Sequence, residues 1–314
     1  MRKILVTGGA GFVGSHLSKK LSEMNFDVIV IDDLSNGRRE NLEGVKHRFF
    51  RLDVSKKSHF IKFSQMIEHV DVIYHLACHP RSLSFQNPWK DVSVNVKGII
   101  NVLEYAKKIH PPPKIIFSSN SGIYGTPHKL PIDESMPDQP STPYDVDKLA
   151  AEYFLKIYHD AYHIPITIFR FATVYGSRQR VSRKWKPVIA EFVIKMLKHI
   201  PPTIEGDGCQ TRDFIHVSDV VNALVRAMDI DTGKSVLILS SNTETSINDL
   251  YKTISNILGF DAPPKKAPPK LGDVRRMWYD NSKAKRILNW EPKTTLRDGI
   301  EKDVIPHYKK VLGI

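Results

Sequence analysis

The segment KILVTGGAGFVGSHLSKKL, residues 3–21, decides the fold of this chain. Its apolar run at residues 4–6 is typical of a buried parallel strand, and a helical pattern begins near Phe12. Between them lies a loop whose glycines are Gly8, Gly9, Gly11 and Gly14, which satisfy G-x-G-x-x-G. Such glycines permit a tight turn and a close approach of the backbone to a pyrophosphate at the helix N-terminus. The segment therefore predicts a dinucleotide-binding strand–loop–helix unit.

Acidic residues end the next two apolar runs. Residues 27–31 are typical of a second strand and lead to Asp32, near the position expected for a ligand of the adenosine ribose. A carboxylate there would accept hydrogen bonds from the ribose hydroxyls and repel a 2′-phosphate, which favours NAD over NADP, although Arg38 and Arg39 would weaken that preference. The alternative is that Asp32 caps the next turn. Asp53 ends the third run and is expected near the adenine.

Strand-like runs alternate with helical patterns as far as about residue 172. They cover residues 3–6, 28–31, 47–50, 72–75, 115–118 and 166–169, and long amphipathic helices are expected over 91–108 and 145–159. This alternation predicts an α/β fold with a doubly wound parallel Rossmann sheet. We predict that residues 1–172 form this domain, with a return segment near 213–240, and that residues 173–314 form a smaller carboxyl-terminal α/β lobe.

Composition limits the classes to which the chain can belong. The 314 residues are 41% hydrophobic and 25% charged, as expected for a globular protein with a large core. We expect no signal peptide and no membrane span, because no apolar run approaches about 18 residues. Cys78 and Cys209 are too few for a disulfide framework or a zinc site, so we predict no metal and a cytoplasmic location. The net charge of +12 comes from scattered Lys and Arg, and we predict no nucleic-acid binding.

A tyrosine and a lysine in STPYDVDKLAAEYF, residues 141–154, have the spacing of one helix face. The phenol of Tyr144 has an ordinary pKa of about 10. An ammonium about 4 Å away, at an effective dielectric constant of about 20, would supply about 4 kcal/mol toward its ionisation. The positive charge of an oxidised nicotinamide would add to this. The pair therefore predicts that Tyr144 is a base, which takes a proton from an alcohol as a hydride leaves. The alternative is a solvated Lys148 beside a half-buried tyrosine.

Further motifs follow in one order along the chain. They are TGGAGFVGSH (7–16), IDDLSNGRREN (31–41), HLA (75–77), NVKGIINVLEYAK (95–107), SSNSGIYG (118–125), PYDVDKLAAE (143–152), RFATVYGSRQ (170–179), GDGCQTRDFIHVSDVVNA (206–223) and GDVRRMWYDNSKAKRILNWEP (272–292). In these motifs the chain resembles the extended short-chain dehydrogenases/reductases of the nucleotide-sugar epimerase/dehydratase family, most closely its members like UDP-glucose 4-epimerase. The resemblance covers essentially the whole chain.

The resemblance implies an NAD-dependent epimerisation at C4 of a UDP-sugar of the glucose/galactose type. Tyr144 would take the proton of the 4-hydroxyl while the C4 hydride passes to NAD, and the hydride would return to the other face of the 4-keto sugar. Lys148 would hold the nicotinamide ribose and lower the pKa of Tyr144. Residues 173–314 would bind the nucleotide sugar, and the helices over 91–108 and 145–159 would pair two copies into a homodimer.

The resemblance also implies which residues bind the cofactor and the substrate. For NAD they are Gly8, Gly11, Phe12, Val13, Gly14, Asp32, Asp33, Asn36, Gly37, Asp53, Val54, Leu76, Ala77, Asn95, Tyr144 and Lys148. For the nucleotide sugar they are Thr173, Arg212, Asp273 and Arg275. The two arginines are candidate ligands of the diphosphate, because a guanidinium binds phosphate oxygens in a bidentate manner.

Asn120 is the main departure from the family pattern. It stands where the family has a Ser or Thr that hydrogen-bonds the reacting sugar oxygen. An amide both donates and accepts, so Asn120 is expected to orient the 4-hydroxyl, with Ser119 or Ser121 as substitutes after a small backbone shift. Thr173 also replaces an asparagine of the family. Met277 lies near the position that gates the size of the sugar.

Two other functions remain open. Nucleotide-sugar dehydratases and UDP-glucuronate decarboxylases share these motifs, and the latter also share HLAC at 75–78. Dehydratases carry an Asp-Glu pair where this chain has Ser121 and Gly122, and elimination needs that acid and base. A dehydratase, or another reaction through a 4-keto intermediate, is therefore the first alternative. A non-catalytic NAD- or nucleotide-sugar-binding protein is the second; Asn120 favours it, and the intact Tyr144 and Lys148 oppose it.

Overall fold

The first half of the chain alternates strands and helices. A computed structural model describes residues 1–182, 186–269 and 274–314. The strands are β1 Lys3–Thr7, β2 Asp27–Ile31, β3 Arg48–Phe50, β4 Val72–His75, β5 Lys114–Asn120 and β6 Ile166–Phe171. The helices are α1 Phe12–Glu23, α2 Lys57–Met66, α3 Pro88–Val92, α4 Gly98–Ala106 and α5 Pro143–Tyr162. Short 3₁₀ turns cover Arg39–Leu42, Arg81–Leu83 and Ser121–Tyr124.

The second half adds shorter strands and the remaining described helices. The strands are β7 Thr173–Tyr175, β8 Thr203–Glu205, β9 Thr211–Arg212, β10 Phe214–His216, β11 Val236–Leu239, β12 Thr245–Ser246 and β13 Lys265–Ala267. The helices are α6 Val188–Leu197, α7 Val217–Arg226, α8 Ile247–Leu258, α9 Ser282–Leu288, α10 Leu296–Gly299 and α11 Ile305–Leu312, with a π-helical turn Ile300–Val304 between the last two. Strands β7 and β10, β8 and β13, and β9 and β12 form three small two-stranded pairs.

Seven parallel strands form the central sheet in the order β11-β6-β5-β4-β1-β2-β3. The chain proceeds outward from β1 in one direction through β2 and β3, and then in the other direction from β4. The strand order thus reverses between β1 and β4, and ligands of open α/β sheets bind outside the carboxyl ends of the strands at such a point. The predicted α/β fold with a doubly wound parallel sheet is confirmed.

Hydrophobic cores cover both faces of this sheet. Along β1, Ile4 and Val6 belong to one core and Leu5 to the other, because side chains alternate along a strand. Helices α1 and α7 pack on the first face, and α2, α4 and α5 pack on the second. A third core lies among α6, α8 and α11 in the carboxyl-terminal part. The predicted boundary of the lobes at residue 172 stays a prediction.

The two long helices differ from their predicted extents. The pattern over 91–108 is divided into α3, a π-helical turn Ser93–Lys97 and α4. Helix α5 begins earlier than predicted, because the Thr142 side chain accepts a hydrogen bond from the Asp145 amide and Pro143 occupies the first turn. Tyr144 consequently lies in the first turn of α5. None of the helices in the three described stretches combines the length and the apolar character that a bilayer crossing requires.

Candidate cofactor and active site

The glycine-rich loop joins β1 to α1 in a conformation that excludes side chains. Gly8 has φ +70°, and a Cβ built on it would lie 2.7 Å from the Ala77 amide nitrogen. A Cβ on Gly14 would lie 2.1 Å from the Gly8 carbonyl oxygen. No side chain caps α1 at Gly11, and its first turn holds no acidic residue. The helix N-terminus is therefore free to bind an anion such as a pyrophosphate.

Asp32 lies at the carboxyl end of β2 and orders the loops around it. Its two oxygens accept hydrogen bonds from the amides of Ala10 at 3.0 Å and Leu34 at 2.8 Å. Burial raises the pKa of this carboxyl. A Cβ on Gly37 would lie 2.9 Å from Asp32 Oδ2, so the chain passes close to the carboxylate. Each oxygen keeps a lone pair for a further donor, which suits the predicted ribose ligand.

A cavity runs along the carboxyl ends of β1, β2, β4 and β5. Most predicted cofactor residues line it: Gly8, Gly11, Phe12, Val13, Gly14, Asp32, Asp33, Asn36, Gly37, Asp53, Val54, Leu76, Ala77 and Tyr144. Asn95 and Lys148 are not in its lining; they lie one layer behind it. Asn95 accepts from the His79 amide and donates to Asp91, so it holds the loop that carries His79.

Tyr144 and Lys148 lie on one face of α5, as their spacing predicts. Tyr144 lines the cavity, and Lys148 Nζ lies 5.6 Å from the centre of its ring. Lys148 is buried, and its ammonium donates to the Ser118 carbonyl oxygen at 2.7 Å. The contact to β5 therefore holds the ammonium in place behind the tyrosine.

The predicted lowering of the Tyr144 pKa does not arise from the protein itself. Burial raises the pKa of Tyr144 well above its usual range, and neighbouring Cys78 and Asp145 raise it further. Burial also lowers the pKa of Lys148. The prediction treated the pair as if it lay near the surface, where charge attraction outweighs the loss of hydration. Inside this fold the loss of hydration is larger.

All three predicted hydroxyl or amide candidates have hydrogen-bond partners within the protein. Ser119 Oγ donates to Glu152 Oε1 at 2.5 Å. Asn120 Nδ2 donates to Asp145 Oδ1 at 2.5 Å. Ser121 is buried, and its side chain forms a hydrogen bond with the hydroxyl of Tyr279. Ser119 lines the cofactor cavity, whereas Asn120 and Ser121 are not in its lining.

The predicted substrate residues lie in the carboxyl-terminal part. Arg212 donates to the carbonyl oxygens of Thr211 and Val274, and it lies within electrostatic range of the buried Tyr279. Arg275 forms a bidentate pair with Asp207, with both distances 2.7 Å.

Thr173 is exposed on β7 and pairs in register with Phe214. The Met277 amide donates to Thr211 Oγ1, and its side chain packs against the core. Asp273 lies outside the described residues. The roles of all these residues in substrate binding stay predictions.

Several residues at the site were not predicted. Cys78, His79 and Pro80 follow β4 and line the cavity, and their position directly after the HLA motif was the available signal. Arg81 and Asp145 form a bidentate ion pair beside the active site. Other unpredicted residues are Ile31, Ser35, Leu52, Lys90, Val94, Ser118 and Phe171 in the cavity lining, and Glu152 and Arg170 behind it.

A glycine-rich loop after β1, a carboxylate after β2 and a tyrosine of α5 line one cavity at the edge of the sheet, which is typical of a Rossmann-fold protein with a dinucleotide cofactor. Comparison with known proteins agrees. The chain belongs to the NAD dependent epimerase/dehydratase family, which matches residues 4–238. It is an enzyme of that family, with NAD as its cofactor.

Relatives and solved structures cover nearly the whole chain. It is 39% identical over 303 residues to a putative UDP-glucose 4-epimerase of Methanocaldococcus jannaschii, over 96% of this chain and 97% of that one. It is 34% identical over 317 residues to UDP-glucuronic acid decarboxylase 1 of Arabidopsis thaliana, over 99% of this chain and 71% of that one. The crystal structure of Thermotoga maritima UDP-glucose 4-epimerase with UDP-glucose matches with a TM-score of 0.93 and 35% identity, over 99% of each chain.

Proposed function

We propose that this enzyme is a UDP-sugar 4-epimerase that interconverts UDP-glucose and UDP-galactose through a 4-keto intermediate. One observation carries the proposal: Tyr144 lines the same cavity as Gly8 and Asp32, with Lys148 fixed behind it. A cofactor held by the loop and the carboxylate would place its reactive end beside this phenol. Relatives named as UDP-glucose 4-epimerases support the reaction and this substrate pair.

Tyr144 is the proposed base and acid of the reaction. It removes the proton of the sugar 4-hydroxyl and later returns it to the 4-keto oxygen, so no proton is gained or lost in a full cycle. When bound, NAD supplies reversible acceptance of the C4 hydride and a positive charge beside the phenol. Lys148 contributes a second positive charge, with Nζ 5.6 Å from the centre of the ring. Both charges oppose the effect of burial on the Tyr144 pKa.

The nucleotide diphosphate is proposed to lie toward the carboxyl-terminal part. Arg212 ends β9, lies within electrostatic range of Tyr279, and is the proposed phosphate ligand. Arg275 could reach a phosphate only by sharing its guanidinium with Asp207. A second cavity lies beside that pair and includes Gly206 and Gln210 in its lining, which gives room for the nucleotide.

Elimination and decarboxylation fit the site less well. Dehydratases of the family carry an Asp-Glu pair at positions 121 and 122 for the proton transfers of elimination, and its UDP-glucuronate decarboxylases usually keep the Glu at position 122. A Cβ built on Gly122 would lie 2.7 Å from Asn120 Nδ2 and 2.9 Å from Asp145 Oδ1. The chain thus lacks this side chain, and one introduced at position 122 would have to displace the side chain of Asn120 or Asp145.

The proposed test is to incubate the purified enzyme with UDP-galactose and follow the formation of UDP-glucose by NMR. Tyr144→Phe should retain NAD and lose at least about a hundredfold in rate, within the usual range for a general base. Asn120→Ser should keep or raise the activity. UDP-glucuronic acid and UDP-N-acetylglucosamine in parallel tubes identify another sugar if the first pair fails. Tight NAD binding without turnover of any of these sugars would favour a non-catalytic binding protein, and near-normal activity of Tyr144→Phe would refute its role.

A homodimer is proposed through an exposed apolar face formed by α5, α3 and Phe85. On α5, Val146, Tyr153 and Ile157 are 51%, 56% and 58% exposed. Trp89 on α3 is 85% exposed, and Phe85 precedes it at 72%. Contiguous apolar side chains on neighbouring helices are typical of an interaction surface. A second copy of the chain would cover them.

A further inference from the structure

A buried carboxylate lies directly after the proposed base. Asp145 is fully buried, in the first turn of α5, where the positive end of the helix dipole favours an anion. Arg81, from the 3₁₀ turn after β4, donates to both of its oxygens at 3.0 Å. Asn120, at the end of β5, donates to Oδ1 at 2.5 Å. Three elements of the fold thus converge on one charge beside Tyr144.

Gly122 provides the space in which these groups meet. A Cβ built on it would lie 2.7 Å from Asn120 Nδ2, 2.9 Å from Asp145 Oδ1 and 3.4 Å from Arg81 Nε. Any side chain at position 122 would therefore displace the amide, the carboxylate or the guanidinium. The arrangement depends on residues from 81 to 145 and is not a chance surface contact.

The carboxylate determines which way the Asn120 amide faces. An ionised carboxylate only accepts, so the atom that contacts Asp145 is the amide nitrogen. The carbonyl oxygen of Asn120 is then left to accept from a sugar hydroxyl near the reacting carbon. The family uses a hydroxyl group at this position, and this chain would use an oriented amide.

The same carboxylate acts electrostatically on Tyr144. The ionisable groups around the phenol are Cys78, Arg81, Asp91, Asp145 and Lys148. An unpaired Asp145 carboxylate would oppose formation of the phenolate. Arg81 carries the compensating charge and is also within electrostatic range of Tyr144.

We propose that Arg81, Asp145 and Asn120 form one positioning unit for the epimerisation proposed above: Asp145 orients the Asn120 amide toward the sugar, and Arg81 cancels the charge of Asp145 beside Tyr144. The proposal rests on the proposed function for the role of the amide. Its electrostatic half depends only on Tyr144 being the ionising group. None of the three residues exchanges a proton with the sugar.

The electrostatic half is tested by a charge cycle. Arg81→Gln should move the acid limb of the activity–pH profile upward by about one unit or more, because a close unpaired carboxylate disfavours the phenolate. Asp145→Asn should move the acid limb to lower pH or leave it in place. The double variant Arg81→Gln/Asp145→Asn should have its acid limb at the wild-type position. Arg81→Lys, which keeps the charge, should keep the wild-type limb. Lower activity of Arg81→Gln and Asp145→Asn with an unmoved limb would show a merely structural role and overturn this half.

The orienting half is tested by Asn120→Leu, which keeps the size of the side chain and removes the amide. The turnover number should fall about tenfold, as for the loss of one hydrogen bond of about 1.4 kcal/mol. The acid limb should stay in place because the charge pair remains. An unchanged turnover number would overturn this half.

Arg48→Gln is the matched control for Arg81→Gln. Arg48 pairs with Asp27 at 2.7 Å, outside the cavity, and its side chain is about as exposed as that of Arg81. The control should change neither the turnover number nor the acid limb.

A titration without turnover separates this inference from the proposed function. The absorbance of tyrosinate near 295 nm, measured with NAD and taken as wild type minus Tyr144→Phe, follows the Tyr144 phenol alone. Arg81→Gln should raise its midpoint by the same amount as the acid limb. If the enzyme epimerises no UDP-sugar but this midpoint moves, the proposed function is wrong and the charge pairing stands. If the enzyme epimerises and neither midpoint nor limb moves, the charge pairing is wrong.

Discussion

Replacing Gly8 with alanine, beside the same change at Gly44, should separate the cost of a positive φ from the effect of a Cβ contact within the cofactor loop. Gly8 has φ +70°, which costs an L-residue about 1–2 kcal/mol. Gly44 has almost the same conformation, φ +72°, but a Cβ built there meets nothing within 4 Å. Gly44→Ala therefore measures the strain alone. Gly8→Ala adds contacts of 2.7 Å and 2.8 Å to the Ala77 backbone, which lies against the end of β4 and cannot move freely.

The magnitude follows from that contact. Ordinary van der Waals contact begins at 3.4 Å, so the loop must move by about 0.7 Å from Ala77 to accept the new Cβ. A shift of this size misplaces the amides that face the pyrophosphate. One charge-assisted hydrogen bond contributes about 1.5–3 kcal/mol. At about 1.4 kcal/mol for each factor of ten, NAD should bind about 10- to 100-fold more weakly to Gly8→Ala.

Two measurements on the same samples test this reasoning. Isothermal titration calorimetry with NAD should show the loss of affinity for Gly8→Ala and wild-type affinity for Gly44→Ala. Urea unfolding should show that both variants lose free energy of unfolding, with the greater loss for Gly8→Ala. NAD affinity of Gly8→Ala within about twofold of wild type, or an equal loss of affinity for Gly44→Ala, would refute the role given to the loop.

Other expectations concern stability, pH and assembly. Glu152→Leu should lower the free energy of unfolding by about 1.5–3 kcal/mol in urea, because the buried Arg170 guanidinium loses its bidentate partner and keeps only Asp138. Burial lowers the pKa of His16 from 6.5 to about 4, so the unfolded chain binds its proton first as pH falls. The His16 contribution to the free energy of unfolding should therefore fall by about 3 kcal/mol between these two pH values, measured as the difference between wild type and His16→Gln. Ile157→Glu should convert the proposed dimer to a monomer in sedimentation equilibrium at unchanged fold, whereas an unchanged mass would place the interface elsewhere.

The parts of the site that were predictable depend on residues close together in the chain. The glycines of residues 8–14 lie between an apolar strand and a helix, and the backbone conformation they require is a local property. Asp32 directly follows an apolar strand, so its place at the sheet edge follows from the strand itself. The four-residue spacing of Tyr144 and Lys148 places both on one face of any helix. These features also determined the fold class, since they occur within alternating strands and helices.

The parts that were missed depend on pairs far apart in the chain. Arg81 meets Asp145 only because the turn after β4 and the start of α5 reach the same edge of the sheet. Ser119 meets Glu152 for a similar reason, across β5 and α5. The break of the predicted 91–108 helix by a π-helical turn also left no pattern in the hydrophobic spacing. A single sequence does not reveal such long-range contacts between side chains.

The amino-acid sequence by itself determined a parallel α/β sheet, a dinucleotide loop and a Tyr–Lys pair, because each arises from neighbours in the chain. Tertiary structure decided how those groups behave. It enclosed the half-buried Tyr144 in the cavity wall, so that loss of hydration raises its pKa against the expectation from charge alone. It also brought Arg81, Asp145 and Asn120 together. Burial and long-range charge pairing are properties of the packed chain, and no local pattern contains them.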